Sequence, residues 1–380
     1  MKNFFLIIPF VLLLFNCNKN STEIQETKYV IEINTDKVET FKLSNNTIYK
    51  NFVPLETTEN SLIKRVDKIY LTDSVIIIFD ESLREILLFN KDGSFFRKCG
   101  KKGNGPGEHT YFSDIYYDHK TELIYANEGN KKSMYIYNQK GNLIEVIPTP
   151  KIFFRSFCKV ENGYWLYTGM PNKGTNKSVI YVDNNFNIIN EFIPQKVFFT
   201  TYWRPTFFQN EKGENFFISP YGNIVYSIEK DELIPYFKID FGKNSPPFEK
   251  IPIIKDVDEY DRLTKGDNLF GNIHNFVLYK DLFYFNFSTT LNNTLNYLGC
   301  FNKDIINTVI YDSYSVYKRE GFPFKDITFI QPLTIYKGDY VCLVNPFQIS
   351  EEDINIINKT SKFTISEDSN PLLFFLKNIE

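Results

Sequence analysis

Few side chains in this sequence could do chemistry, and they are widely spaced. There are three histidines, His109, His119 and His274. A transition-metal centre needs several His, Cys or carboxylate ligands converging on one point. His119 sits in the turn Asp118-His119-Lys120 and is expected on an outer or edge surface. That leaves His109 and His274 as a pair with no clear third ligand, so no metal is assigned. The nucleophile motif G-x-S-x-G is absent. Two carboxylates could hydrolyse a glycoside, but no position marks such a pair among the 46 acidic residues. The segment Gly100-Lys-Lys-Gly-Asn-Gly-Pro-Gly-Glu108 holds four glycines whose amides could line an anion nest. It lacks Walker spacing and no helical pattern follows, so it reads as a crossover between structural units, with glycine allowing sharp turns. No catalytic residue and no cofactor is assigned.

The elements that would position any site repeat along the chain. Residues 85–100 read EILLFNKDGSFFRKCG: a strand, a Lys-Asp-Gly turn, a second strand. Residues 134–147, MYIYNQKGNLIEVI, repeat this 48 residues later. Both turns place Gly where a hairpin needs positive φ. Weaker copies occupy Val179–Ile193, Ile224–Ile239 and Leu298–Tyr311. Two more apolar strands precede each hairpin, for example Val66–Leu71 and Val75–Phe79 before the first. Four short strands per unit at this period predict propeller blades. A sixth unit starts near Ile327–Tyr336 and Tyr340–Val344, and its remainder, 355–375, is harder to parse. The expected fold is therefore all-β, a six-bladed β-propeller with four-stranded antiparallel blades. An N-terminal strand, Tyr29–Ile33 or Ile48–Val53, is expected to close the last blade. The alternative is a sandwich with extra strands. The fourth unit carries an insertion, 242–272, whose acidic run Asp256–Asp261 lacks EF-hand spacing; a solvated helix or lid over the channel is expected there.

Residues 1–16 read as a signal peptide. Lys2 is followed by an apolar run from Phe4 to Phe15 broken only by Pro9. That run is shorter than the about 20 residues a spanning helix needs and suits a secretory signal core. Leu14-Phe15-Asn16-Cys17 resembles a bacterial lipobox, with Asn16 departing from the usual small residue before the Cys. Cys17 is the expected lipidation site, residues 17–28 a tether, and 29–380 the propeller. With Cys17 lipidated, Cys99, Cys158, Cys300 and Cys342 allow three disulfide pairings. Buried thiols in strands are the preferred reading. The net charge of −3 gives no electrostatic footprint for nucleic acid, and the 17% aromatic content favours pleated, half-buried surfaces.

Two motifs carry a family resemblance. Phe52-Val-Pro-Leu-Glu-Thr-Thr58 and the Gly100–Glu108 loop resemble motifs of the six-bladed β-propeller lipoproteins of Gram-negative bacteria, which are distantly similar to NHL-repeat propellers. The resemblance covers roughly residues 50 to 345. It implies the fold and an envelope location; the family has no established catalytic activity, so the resemblance speaks to fold far more than to function.

In such a ring the loops leading into each first strand rim one mouth of the channel. Those positions hold His109 and Tyr111, Arg155, Trp203 and Arg204, His274 and Asn275, and Lys325 and Asp326. An aromatic and basic rim suits a glycan, a peptide or an envelope protein as partner. The expected function is ligand or partner binding at that mouth by an outer-membrane lipoprotein on the periplasmic face. The alternative is a lyase or hydrolase acting at the same mouth.

Overall fold

The structure is a computed structural model. It describes residues 27–378 except 35–37, 41–46, 150–151, 170–174, 196–205, 211, 220–221, 246–255, 257, 260–268, 281, 290–295, 303–306, 313–323 and 325–331. Cys17, the signal segment and most of the 242–272 insertion lie outside the described residues.

Three N-terminal strands, β1 (Tyr29–Glu32), β2 (Val38–Thr40) and β3 (Thr47–Pro54), precede the repeats. The first sheet holds β4 (Lys68–Leu71), β5 (Val75–Asp80), β6 (Glu85–Asn90) and β7 (Phe95–Lys98) in that order. The second holds β8 (Phe112–Asp118), β9 (Leu123–Glu128), β10 (Ser133–Asn138) and β11 (Leu143–Pro148). The third is β12 (Ser156–Val160), β13 (Gly163–Tyr167), β14 (Lys177–Asp183) and β15 (Ile188–Pro194). The fourth is β16 (Phe207–Gln209), β17 (Asn215–Ile218), β18 (Ile224–Glu229) and β19 (Glu232–Asp240). The fifth is β20 (Phe270–Tyr279), β21 (Leu282–Thr289), β22 (Asn296–Asn302) and β23 (Asn307–Asp312). The sixth holds β24 (Pro332–Tyr336), β25 (Asp339–Val344) and β26 (Leu372–Asn378).

The four core strands of each sheet pair antiparallel, and the fold is an all-β propeller with four-stranded blades. Five of the six sheets draw four successive strands from one stretch of chain. The sixth draws only three and is completed by β3, which pairs antiparallel with β26 from Pro54↔Leu372 to Thr47↔Asn378. The expected closing strand is thus the second N-terminal candidate. The first does something the sequence reading did not anticipate. Strand β1 adds parallel to the outer edge of β19, and β2 adds parallel to β23, so two sheets carry a fifth strand.

The strands read as they do because burial falls from the middle of each sheet outward. Strand β5, VIIIFD, is buried at every position, whereas β11, LIEVIP, is almost wholly exposed. Five apolar clusters lie between neighbouring sheets. One of them packs Val341, Leu373 and Phe375 of the sixth sheet against Ile76, Ile78 and Leu87 of the first. The predicted Gly turn after β6 is present: Gly93 has φ +83°, and a Cβ there would come 1.9 Å from the Pro54 carbonyl oxygen. Only glycine lets the first hairpin approach β3 so closely.

The segment that resisted parsing, 355–375, contains a helix rather than a strand pair. Helix α1 (Glu351–Thr360) is capped by Ser350, whose Oγ accepts from the Asp353 amide, and three acidic residues fill its first turn. Its Ile354 and Ile357 pack into the cluster between the fifth and sixth sheets. Cys99, Cys158 and Cys342 are free and buried, and burial pushes each thiol well up from its ordinary value. Within the insertion, Gly242–Asn244 forms one 3-10 turn and β20 begins at Phe270.

Candidate functional site

The first strands of the sheets, β4, β8, β12, β16, β20 and β24, are neighbours in succession and surround the axis, β24 returning to β4. A cavity of about 490 Å³ opens along them, lined by residues of five sheets. Its wall follows β4 from Asp67 to Asp73, takes in all of β16, nearly all of β24 and the trailing parts of β8 and β20, and reaches residues of the turns that follow, among them Asp73, His119, Asn210, Lys212 and Lys337. The open mouth therefore lies where the first strands end, the trailing mouth. The rim expected from the sequence lies at the opposite, leading mouth, where those strands begin.

At the trailing mouth, half-buried Tyr70, Phe208 and Tyr336 line the cavity. Neighbouring side chains hold two of them. Phe208 stacks on Phe216 and Phe276. The Tyr336 hydroxyl donates to the Thr72 carbonyl and to Asp73, and the Lys91 ammonium lies 3.9 Å from its ring centre. Side-chain amides stand among the rings. Gln209 Nε2 donates to the Tyr116 hydroxyl at 2.6 Å, and Asn210, Asn215 and Asn275 complete the polar lining. The charges balance: Lys68, Lys212 and Lys337 against Asp67, Asp73 and Glu122. Lys337 is already paired with Asp73 at 2.5 Å.

Midway along the channel a buried ion pair joins three sheets. Lys68 and Asp114 are 2.7 Å apart with side chains 8% and 6% exposed. Ser156 Oγ and the Phe157 amide donate to the other Asp114 oxygen, and Lys68 also donates to the Ile115 carbonyl. Burial is the largest influence on the Lys68 ammonium and pulls it down; the Asp114 charge and hydrogen bond, together with Tyr70, outweigh it, so the ammonium is held above its ordinary value. Both Asp114 oxygens and two of the three Lys68 donors are thus answered, the kind of compensation a desolvated pair requires.

The residues expected on the leading rim separate. Among the described ones, Asn275 alone lines the cavity. Tyr111 and Arg155 do meet at the leading mouth, both facing Glu81 of the first sheet, which the sequence reading missed. His109 is no rim residue: it is buried and stacked on Phe112 at 4.0 Å, because the glycine loop folds it back into the cluster between the first two sheets. His274 lies inside β20, buried opposite Asn286, since that strand starts earlier than expected. His119, expected on an outer surface, lines the trailing mouth instead, edge-on to Tyr117. Trp203, Arg204, Lys325 and Asp326 lie outside the described residues. Among the described residues no group of three potential ligands could hold a metal ion.

The glycine loop is held as a structural crossover. Lys131 Nζ donates to the carbonyls of Gly103, Gly105 and Glu108, and Glu128 accepts from the amides of Thr110 and Tyr111. The Gly103 amide donates to the His109 carbonyl and the Gly105 amide to the Glu108 carboxylate, so these amides do not line an anion nest.

A family model described as a domain of unknown function, DUF4934, matches residues 28–377. The chain belongs to the DUF4934 family. No curated protein matches it. This DUF4934 chain is similar to the crystal structure of a putative exported protein from Bacteroides fragilis, with TM-score 0.71 and 15% identity over 92% of this chain and 100% of that one. It is also similar to a member of the duf4221 family from Bacteroides vulgatus, with TM-score 0.54 and 9% identity over 89% of this chain and 100% of that one. At these identities the likeness shows the fold that DUF4934 shares with them. No described helix of the DUF4934 chain is long and apolar enough to cross a membrane.

Proposed function

We propose that this chain is an exported lipoprotein, anchored through Cys17 at the periplasmic face of the outer membrane, whose propeller binds a neutral glycan at the trailing channel mouth. The six sheets are the six blades of one ring in this reading. Ring closure is supported by the β3–β26 pairing and by the apolar cluster between the sixth and first sheets.

The observation that carries the ligand class is the makeup of the 490 Å³ cavity. Aromatic side chains in the lining offer apolar surface to sugar C–H groups. The amides of Gln209, Asn210, Asn215 and Asn275 supply donors and acceptors for hydroxyls. Equal numbers of lysines and carboxylates leave no net field to select a charged ligand. The leader of residues 1–16 and the lipobox-like Cys17 support the location.

The test is calorimetric titration of the full-length protein in detergent with neutral oligosaccharides, acidic oligosaccharides and extended peptides. Saturable binding of a neutral oligosaccharide is expected, weakened about tenfold by Phe208→Ala or Tyr336→Ala, the loss of about 1.4 kcal/mol. Binding of peptides alone, or no effect of either substitution, overturns the glycan reading. For the anchor, metabolic labelling with an alkyne fatty acid should mark the wild type and not Cys17→Ala.

A further inference from the structure

We propose that Glu81 is a proton-operated latch at the leading mouth of the channel, closed when its carboxyl is protonated and opened when it ionises. Glu81 follows β5 in the first sheet, and its carboxyl sits where three sheets meet. Arg155, just before β12 of the third sheet, approaches Oε1 to 3.6 Å. The Tyr111 hydroxyl, just before β8 of the second, lies 3.4 Å from the same oxygen. Arg65 of the first sheet reaches Oε2 at 3.5 Å. The side chain is only 12% exposed, so water does little for it.

These contacts are all long. A carboxylate normally draws charged donors to about 2.7–2.9 Å, as Lys68 does with Asp114 at 2.7 Å in the same channel. Glu81 is therefore desolvated without close compensation, and that costs the ionised form far more than the protonated one.

The surrounding charges do not repair this. Arg65 is held closely by Asp67, at 2.6 Å, and only loosely by Glu81. Asp67 also accepts the Glu81 amide at 2.8 Å, which places a second carboxylate beside the first. Asp80 is turned into its own loop by the amides of Lys64, Arg65 and Leu83. Arg84 lies over the Tyr111 ring, 4.8 Å from its centre. Asp114 adds further negative charge from the second sheet. Burial pushes the Glu81 carboxyl up to about 7, with Arg155 opposing it and Asp67 adding to it.

The direction of the switch follows from linkage. In an open mouth Glu81 is hydrated and titrates near its ordinary 4.5; in the closed mouth it titrates near 7. Below 4.5 both forms hold the proton, and pH does not choose between them. Between 4.5 and 7 the open form has released its proton and the closed form has not, so rising pH favours opening. The full span shifts the closed–open equilibrium on the order of 100-fold, saturating above about 7. The segments that would part are the loops at Tyr111 and at Phe154–Arg155, just before β8 and β12, because they carry the Glu81 partners of the second and third sheets.

Hydrogen–deuterium exchange of the full-length protein at about pH 5 and pH 8, corrected for intrinsic rates, tests this. Peptides covering 110–113 and 154–158 should lose protection at the higher pH by one to two orders of magnitude, while β9 and β10 do not. Glu81→Gln, which mimics the protonated carboxyl, should keep the low-pH protection at both values. A wild type whose two loops show no pH response, or a Glu81→Gln variant that retains the response, overturns the latch. Should that variant fail to fold, carbon-13 titration of the wild-type glutamate carboxyls decides instead. One carboxyl must titrate near 7, and its absence refutes the proposal.

Discussion

Asn370 is the residue on which closure of the ring can be tested most directly. It stands just before β26 and is 2% exposed. Its Oδ1 accepts from the Ile63 amide at 2.8 Å, and its Nδ2 donates to the carbonyls of Glu56 at 2.8 Å and Ser61 at 2.7 Å. One side chain thus ties the loop between β3 and β4 to the last strand, some 300 residues away in sequence. In Asn370→Ala the Glu56 carbonyl keeps the Ser61 hydroxyl as a partner. The Ile63 N–H and the Ser61 carbonyl are left without the side-chain partners that answered them. A stranded buried group costs about 1–3 kcal/mol, so the pair should destabilise the protein by about 3 kcal/mol. Asn370→Asp should cost more, because it sets a carboxylate against two carbonyl oxygens. Urea unfolding followed by fluorescence reads this: with a slope of about 3 kcal/mol per M, the midpoint drops by about 1 M. Ser366→Ala, in an exposed turn nearby, should move it by no more than about 0.5 kcal/mol. An Asn370→Ala midpoint within that same margin would refute the clasp.

Three further outcomes are expected. Gly93→Ala should destabilise by more than the about 1 kcal/mol of an ordinary φ > 0 replacement, because the added Cβ meets the Pro54 carbonyl at 1.9 Å; thermal unfolding within 1 °C of wild type would count against it. Lys131→Met removes the ammonium shared by three loop carbonyls and should cost about 1–3 kcal/mol, with proteolysis appearing first within residues 101–108. The thiols of Cys99, Cys158 and Cys342 should resist a disulfide reagent in the native protein and react on unfolding, since burial holds them protonated; prompt labelling of any one in the folded state contradicts its placement.

The strands were legible because their signals are local. Apolar runs ending in Asn-Lys-Asp-Gly or Asn-Gln-Lys-Gly specify hairpins wherever they occur, and β6–β7 and β10–β11 fall where those runs predict. The channel site was less legible because it depends on which end of each first strand opens. The residues before those strands looked promising in type. Yet His109 is folded inward by its glycine loop, and His274 is absorbed into a strand that starts earlier. The trailing residues, such as Phe208, Tyr336 and His119, sit in or beside turns whose sequences look like ordinary hairpin connections. One signal was available. Aromatic residues recur near the ends of several first strands (Tyr70, Tyr116 and Tyr117, Phe208, Tyr336), next to polar turns where solvent would disfavour them without a purpose. Helix α1 was missed because it is a single short element inside a β period.

The N-terminal segment shows why the weaker repeats still hold together. Edge strands expose unpaired backbone groups and invite pairing with other chains. In the first two sheets the outer strands β7 and β11 come from strong local hairpins, and in the third β15 comes from a weaker copy of the same pattern. In the last three the chain supplies cover from its own start: β1 along β19, β2 along β23, and β3 as the fourth strand of the sixth sheet. The segment thus passes along successive rims and ends at the Val53-Pro54-Leu55-Glu56-Thr57 motif. That motif is the lock. The Glu56 carboxylate accepts the Phe95 amide, Thr57 Oγ1 accepts the Asn370 amide, and the Leu55 amide donates to the Pro371 carbonyl. Its residues are those needed to join the first sheet to the last strand. The motif therefore speaks for ring closure and carries no information about the ligand, which must be sought among the trailing turns.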